Sequence, residues 1–383
     1  MTDNVLDFAV IGAGMAGASV AYRLAHKGAS VIVLERESQP GYHSTGRSAA
    51  MFMESYGTDQ IRALTRASRD FYMHPPEGFC TNELLPARDV LYVGQEGQQD
   101  LLDAALATYL KDGLSAEMIS AERAKELVPV LELDQIIGAV QDRAATDIDV
   151  SELHQGFLRG MREQGAVLRC NAELLSAERD AATGVWSLAL PGGDVIKARA
   201  VVNASGAWAD TVAQVCGAQA LDIQPKRRTA FTFQPPEGVD AHAWPVVIGV
   251  DESFYFKPDA GQLLGSPANA DPVAAHDVVA EELDVAMGIH AIETVSSLRI
   301  RRPNHVWAGL RSFAPDGDFV IGWDPKREGF FWLAGQGGYG IQTAAGASAT
   351  ACALLLREAL PESVSQQGVD PDKLSPARFH VHE

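Results

Sequence analysis

FAVIGAGMAGASVAYRLAHKGASVIVLE, residues 8–35, decides the fold. Its opening reads as a strand over Asp7–Ile11, followed by a glycine turn, an amphipathic helix from about Ala16 to Lys27, and a second strand over Ser30–Glu35. This is a β-α-β unit, and GAGMAG sits at its first strand-to-helix joint. A glycine motif of this kind is weak by itself; the flanking strand and helix make it specific. Gly12 permits the tight turn, Gly14 lets backbone N–H groups approach a pyrophosphate at the helix N-terminus, and Gly17 lets helix and strand pack closely. Glu35 closes the second strand, where a carboxylate accepts hydrogen bonds from adenosine ribose hydroxyls and disfavours a 2'-phosphate. The expectation is a Rossmann-like dinucleotide domain.

Outward from this unit, GYHSTGRSAA (residues 41–50) is a loop of small and hydroxyl residues. A helical pattern starts near Thr58, with Ile61, Leu64, Ser68 and Phe71 on one face. Val90–Val93 reads as a strand. Asp149 and Glu152 fit a capping box that opens another helix. AVVNASGAWAD (200–210) is a second strand, turn and helix. From Gln224 to Leu310, stretches such as FTFQPP, ESFYFKP and VSSLRIRRP alternate in the manner of an antiparallel sheet. FFWLAGQGGYGIQTAAGASATACALLL then returns to strand, glycine turn and helix, and no repeat period is present. The expected fold class is therefore α/β (α+β): a nucleotide domain from residues 1–85, 145–220 and 311–383, with a substrate domain on an antiparallel sheet from 86–144 and 221–310.

Composition bounds the partners. Fifty acidic against 31 basic residues give a net charge of −19, which disfavours nucleic acid or an anionic membrane surface as a general partner. The four cysteines form no CxxC pair, and His43, His74, His154, His242 and His305 lack ligand spacing, so no metal site is expected. No apolar run has a spanning helix's length, and Asp3 and Asp7 stand where a signal peptide would be basic. The expected location is cytoplasmic, with peripheral association at the inner membrane as its furthest extension.

GYHSTGRSAA, LLGSPANADPVAAHD, WAGLRSFAPDGDFVIG and QGGYGIQT together resemble the D-amino acid oxidase superfamily, most closely its bacterial D-arginine dehydrogenase branch, nearly from end to end. The resemblance implies non-covalent FAD, and oxidation of a D-amino acid by transfer of its Cα hydrogen as hydride to flavin N5, with hydrolysis to a 2-oxo acid and ammonia. It also implies the residue roles. Arg311 binds the substrate carboxylate, with Tyr255 and Arg228 as further contacts; Gly338 offers its carbonyl to the amine, and Tyr56 covers the site from a mobile loop. The cofactor set adds Arg36, then His43, Ser44, Thr45, Gly46, Arg47 and Ser48 of the hydroxyl-rich loop, Leu174 and Gly206. Gly337, Gly338, Tyr339, Gly340, Ile341, Gln342 and Thr343 face the flavin, where a helix N-terminus stabilises a reduced, anionic ring.

The chain departs from that branch where the substrate side chain would lie. Val90 replaces a glutamate that meets the guanidinium, and Met51 and Met53 replace a histidine and a threonine. These residues favour apolar D-amino acids over D-Arg, unless Glu54 turns inward to replace the lost carboxylate. Leu263, in GQLLG, stands where related oxidases carry an oxygen-activating lysine, which points to a quinone or electron carrier as acceptor. Two other readings compete: a glycine- or sarcosine-type amine oxidase, and a flavin-binding redox sensor without turnover.

Overall fold

The computed structural model describes residues 5–379, so Asp3 and the final four residues lie outside the described residues. The β-α-β unit forms as the glycine pattern requires: strand Leu6–Ile11, helix Met15–His26 and strand Val31–Leu34. Around it a sheet is ordered Val320–Trp323, Phe330–Ala334, Val195–Asn203, Leu6–Ile11, Val31–Leu34, Val167–Arg169. Its inner pairings are parallel. The strands are apolar on both faces because both faces are covered, one by helices Met15–His26, Val150–Glu163 and Ala344–Leu356. Where helices Met15–His26 and Val150–Glu163 cross, Gly160 faces Tyr22 so closely that a Cβ would lie 2.5 Å from its ring.

A second sheet runs Gln336–Gly337, His305–Phe313, Gln224–Phe233, Gln262–Ser266, Tyr255–Asp259, Val246–Gly249, Val90–Gly94, Gly138–Asp142, Ala116–Ser120. It is antiparallel as expected except at one joint, Val246–Gly249 against Val90–Gly94, where two distant parts of the chain meet. The strand His305–Phe313 carries Arg311 straight across the expected boundary at 310/311.

Three local expectations change. Residues 224–310 are not all sheet: Glu282–Val295 is a helix. VSSLRIRRP forms the end of that helix and a loop, because Leu298 and Ile300 reach the core without strand pairing. The capping box at Asp149 is half made. Asp149 Oδ1 accepts from the Glu152 N–H at 2.9 Å, whereas the Glu152 carboxylate accepts from Thr81 and Asn82 instead. Thr58 caps helix Asp59–Met73 through its side chain, as its position suggests.

Candidate active site

The glycine turn is built by close approach. Gly12 sits at φ +101°, and a Cβ there would lie 2.6 Å from the carbonyl of Ala204, so the second strand–turn–helix presses on the first. A Cβ on Gly17 would fall 1.8 Å from the Gly12 carbonyl, which fixes its role as a packing glycine. Gly14 is the N-cap of the helix and supplies no side-chain cap. Its neighbour's N–H, on Met15, is taken by Thr45 Oγ1 at 3.0 Å, so the hydroxyl-rich loop closes over the helix start. His154 braces the turn from outside, with Nε2 2.9 Å from the Ala13 carbonyl.

Glu35 is buried and pre-oriented. Oε2 accepts from the Ala13 N–H at 2.8 Å and Oε1 from the Glu37 N–H at 3.0 Å, leaving each oxygen a lone pair for a hydroxyl donor. From Glu35 a single cavity runs past Gly12, Gly14 and Ser44 to Arg228, Tyr255, Arg311 and Gly338. Its lining holds two carboxylates, Glu35 and Glu173, both at the ribose end. The arginine end has none.

That cationic end follows from strand register. Arg228 pairs with Gly309 and Lys226 with Arg311, so Arg228 and Arg311 lie diagonally on one face of two adjacent antiparallel strands, where Gly309 lets the loop at Arg47 approach. The Arg311 guanidinium lies against Gly338. Arg228 donates from Nε to the Asn269 carbonyl at 2.5 Å. Burial, and then the positive charge of Arg311, push the Arg228 pKa down to about 10. Two cations held together with no carboxylate beside them in the cavity lining form a site that binds an anion; Glu252, outside the lining, acts on Arg228 less than Arg311 does.

Other expected residues take varied places. Arg36, His43, Thr45, Ser48, Leu174 and Gly206 line the cavity, as do Gly337, Gly340 and Ile341. Ser44 also ties the loop to the second sheet, its hydroxyl donating to the Leu310 carbonyl at 2.6 Å. Arg47 lines the cavity but spends its guanidinium on the carbonyls of Val278 and Ala308 and on Asp277. Gly46 lies outside the lining, closing a turn against Gly41. Tyr339, Gln342 and Thr343 also stand behind it: Tyr339 packs on Tyr56, Gln342 donates to Thr65 Oγ1 at 2.9 Å, and Thr343, at the start of helix Ala344–Leu356, donates its hydroxyl to the Tyr339 carbonyl at 2.8 Å.

Met53 and Val90 are buried in one apolar cluster with Ala145 and Val246, flanked by Met51, Tyr56 and Tyr92. None of Met51, Met53, Tyr56, Glu54 or Val90 lines the cavity. Glu54 is paired with Arg69 at 2.7 Å, so its carboxylate already has a cation.

Leu263 corrects an expectation. Its side chain enters the core with Phe231, Phe256 and Ile292, on the face turned from the arginines, so its identity says nothing about what lies beside a flavin. The lysine of this region is Lys257, buried and paired with Asp147.

The sequence reading missed Trp208, which lines the cavity under Arg36, whose guanidinium stands 4.5 Å from its ring centroid. The signal lay in NASGAWAD, where a large aromatic follows the second glycine turn.

A dinucleotide cradle and a cationic clamp sharing one cavity have the layout of an oxidoreductase that acts on an anionic substrate. The family model described as "FAD dependent oxidoreductase", DAO, matches residues 7–354, and the chain belongs to that family. Among curated proteins it is 24% identical over 361 residues to mitochondrial dimethylglycine dehydrogenase of Mus musculus, covering 88% of this chain and 41% of that protein. The chain thus spans less than half the length of that relative. It is 23% identical to the uncharacterized oxidoreductase YurR of Bacillus subtilis, covering 87% of this chain and 90% of that one. The glycine oxidase structure from Geobacillus kaustophilus superposes with a TM-score of 0.84 at 21% identity, covering 97% and 98% of the two chains. The L-proline dehydrogenase structure from P. horikoshii gives 0.85 at 20%, covering all of both.

The chain is an FAD-dependent enzyme, and its residues fit the cofactor. Gly12, Gly14 and the Thr45-bearing loop at the start of helix Met15–His26 would receive the pyrophosphate, and Glu35 the ribose. Among the described residues no helix is long and apolar enough to cross a membrane.

Proposed function

We propose that this enzyme oxidises the Cα–N bond of D-amino acids with apolar side chains, releasing a 2-oxo acid and ammonia after hydrolysis of the imine. The observation that carries the reading is the diagonal pair Arg228–Arg311 at the end of the cavity opposite Glu35. Two guanidiniums on one sheet face suit a carboxylate, and Tyr255 lines the same end. FAD supplies the hydride acceptor when bound. The chain's own residues hold the carboxylate, present the Gly338 carbonyl to the amine and exclude water, so that the Cα hydrogen is fixed in one direction. The resemblance to D-arginine dehydrogenases supports the D configuration. Val90, Met51 and Met53 support an apolar side chain, because the carboxylates beside them are already engaged, Glu54 by Arg69 and Asp142 by Tyr109 and the Ala144 and Ala145 N–H groups.

A second reading has its own support. The apolar cluster lies outside the cavity lining, so a substrate with no side chain would fit without displacing Tyr56. Dimethylglycine dehydrogenase and glycine oxidase among the similar proteins point the same way. Mixing the yellow holoenzyme anaerobically with D-Leu, D-Met, D-Arg, L-Leu, glycine, sarcosine and N,N-dimethylglycine decides between them. Fastest bleaching of the flavin by D-Leu or D-Met supports the first reading. Bleaching by glycine or its N-methyl derivatives alone supports the second, and bleaching by none would return the redox sensor.

A further inference from the structure

The basic run Lys226–Arg227–Arg228 is split by strand alternation: Arg228 faces the cavity and Arg227 faces helix Glu282–Val295. Arg227 is buried in an acidic cage, with Nε 2.8 Å from Asp284 and further contacts to Glu281 and Asp271. The buried Asp284 carboxylate also accepts from Thr229 Oγ1 at 2.7 Å and from Asn269 Nδ2 at 3.1 Å.

Asn269 joins the two faces. Its amide donates to Asp284 and, at 2.7 Å, to Asp271; its Oδ1 accepts from the Thr229 N–H at 2.9 Å; its main-chain carbonyl accepts from Arg228 Nε. Every polar group of the side chain is used, which a loop asparagine exposed to water does not require. The loop itself is pinned. Ala268 is held at φ +49°, with its N–H on Ser266 Oγ, and Gly288 packs so closely that a Cβ would lie 2.9 Å from Pro267. A carbonyl fixed on Nε settles the guanidinium plane and leaves both terminal nitrogens of Arg228 for a two-point contact with a carboxylate.

We propose that Asn269 is a positioning residue for Arg228, holding the guanidinium in the orientation that receives the substrate carboxylate. The inference rests on the reading of the Arg228–Arg311 pair as the carboxylate clamp. It makes the Asp284–Asn269 bracket a determinant of carboxylate affinity although neither residue lines the cavity.

The test is a double-mutant cycle on the holoenzyme, with benzoate as a carboxylate lacking an amine and its binding read from the flavin absorbance shift. Asn269→Ala, which removes the three side-chain hydrogen bonds that pin the loop, is expected to raise the benzoate Kd and the amino acid KM about tenfold, with kcat and flavin content little changed. Arg228→Lys is expected to weaken benzoate as well, and Asn269→Ala added to Arg228→Lys should weaken it no further. Fold losses that multiply, or benzoate bound normally by Asn269→Ala, would overturn the proposal. Normal benzoate binding by Arg228→Lys would instead overturn the clamp reading on which it rests. If Asn269→Ala does not retain flavin, Asn269→Ser serves in its place; it keeps an acceptor for the Thr229 N–H and loses the amide donors.

Discussion

The guanidinium of Arg311 rests on Gly338 with no space for a side chain: a methyl group built on the glycine would lie 2.8 Å from Nη1 and 3.1 Å from Cζ. The residue proposed to face the amine therefore also seats the residue proposed to bind the carboxylate.

Gly338→Ala should displace that guanidinium while leaving the distant Glu35 end intact. The expected outcome is a flavin-loaded enzyme whose kcat/KM falls about 10- to 100-fold, the usual result of moving a positioning group by an ångström. Steady-state kinetics beside flavin content would show it. An unchanged kcat/KM would mean that Arg311 does not need its present position.

Glu35 makes the complementary prediction, at the other end of the cavity. Glu35→Ala removes an acceptor from the ribose and leaves the Ala13 and Glu37 N–H groups without theirs, so FAD affinity should fall about 10- to 100-fold. Glu35→Gln should be intermediate, since its amide nitrogen cannot accept from either N–H. Fluorescence titration of apoprotein with FAD measures both, and tight FAD binding by Glu35→Ala would remove Glu35 from the ribose site.

His154 gives the turn a pH dependence. Burial holds its pKa below the ordinary 6.5, against the smaller opposing effect of its contact with the Ala13 carbonyl. The unfolded chain takes up a proton from pH 6.5 downward while the folded chain resists it. Stability is therefore unaffected above that pH and declines as pH falls below it, down to the folded pKa. The Tm should drop between pH 7.5 and pH 5 more in the wild type than in His154→Gln, which can still donate to Ala13. Equal slopes would show that His154 ionises without penalty.

Much of the cofactor end is local in the chain and so legible in its sequence: Gly12, Gly14, Gly17 and Glu35 fall within one β-α-β unit, where spacing together with the flanking strand and helix suggests their roles. The arginine end is not local. That Arg227 turns into an acidic cage and Arg228 into the cavity depends on Asp284, 57 residues on, and on a strand register no short window contains. Helix Glu282–Val295 was hidden for a sharper reason. Leu283, Val285, Met287 and Ile289 alternate with other residues as a strand would, yet the buried positions are Asp284, Gly288, Ile292 and Val295, at helical spacing. The glycine that lets the helix reach Phe231 and the charge that neutralises Arg227 both look like poor core residues until their partners are known.

Val90 carries the last prediction, on specificity. It lies directly across the strand pair from Asp142, whose buried carboxyl accepts from Tyr109 at 2.9 Å and from the Ala144 and Ala145 N–H groups. Burial raises the Asp142 pKa, but those donors keep it an acceptor, so Val90→Glu would set two carboxyls side by side in an apolar cluster. Without a cationic ligand the new group is expected to stay protonated and to destabilise the fold by about 1–3 kcal/mol. With D-Arg or D-Lys bound it gains a partner. The ratio of kcat/KM for D-Arg over D-Leu should therefore rise about 10- to 100-fold, and D-Arg should raise the Tm of the variant more than that of the wild type. A ratio that does not move would place the substrate side chain somewhere other than against Val90, and would favour the reading in which the substrate has no side chain to place.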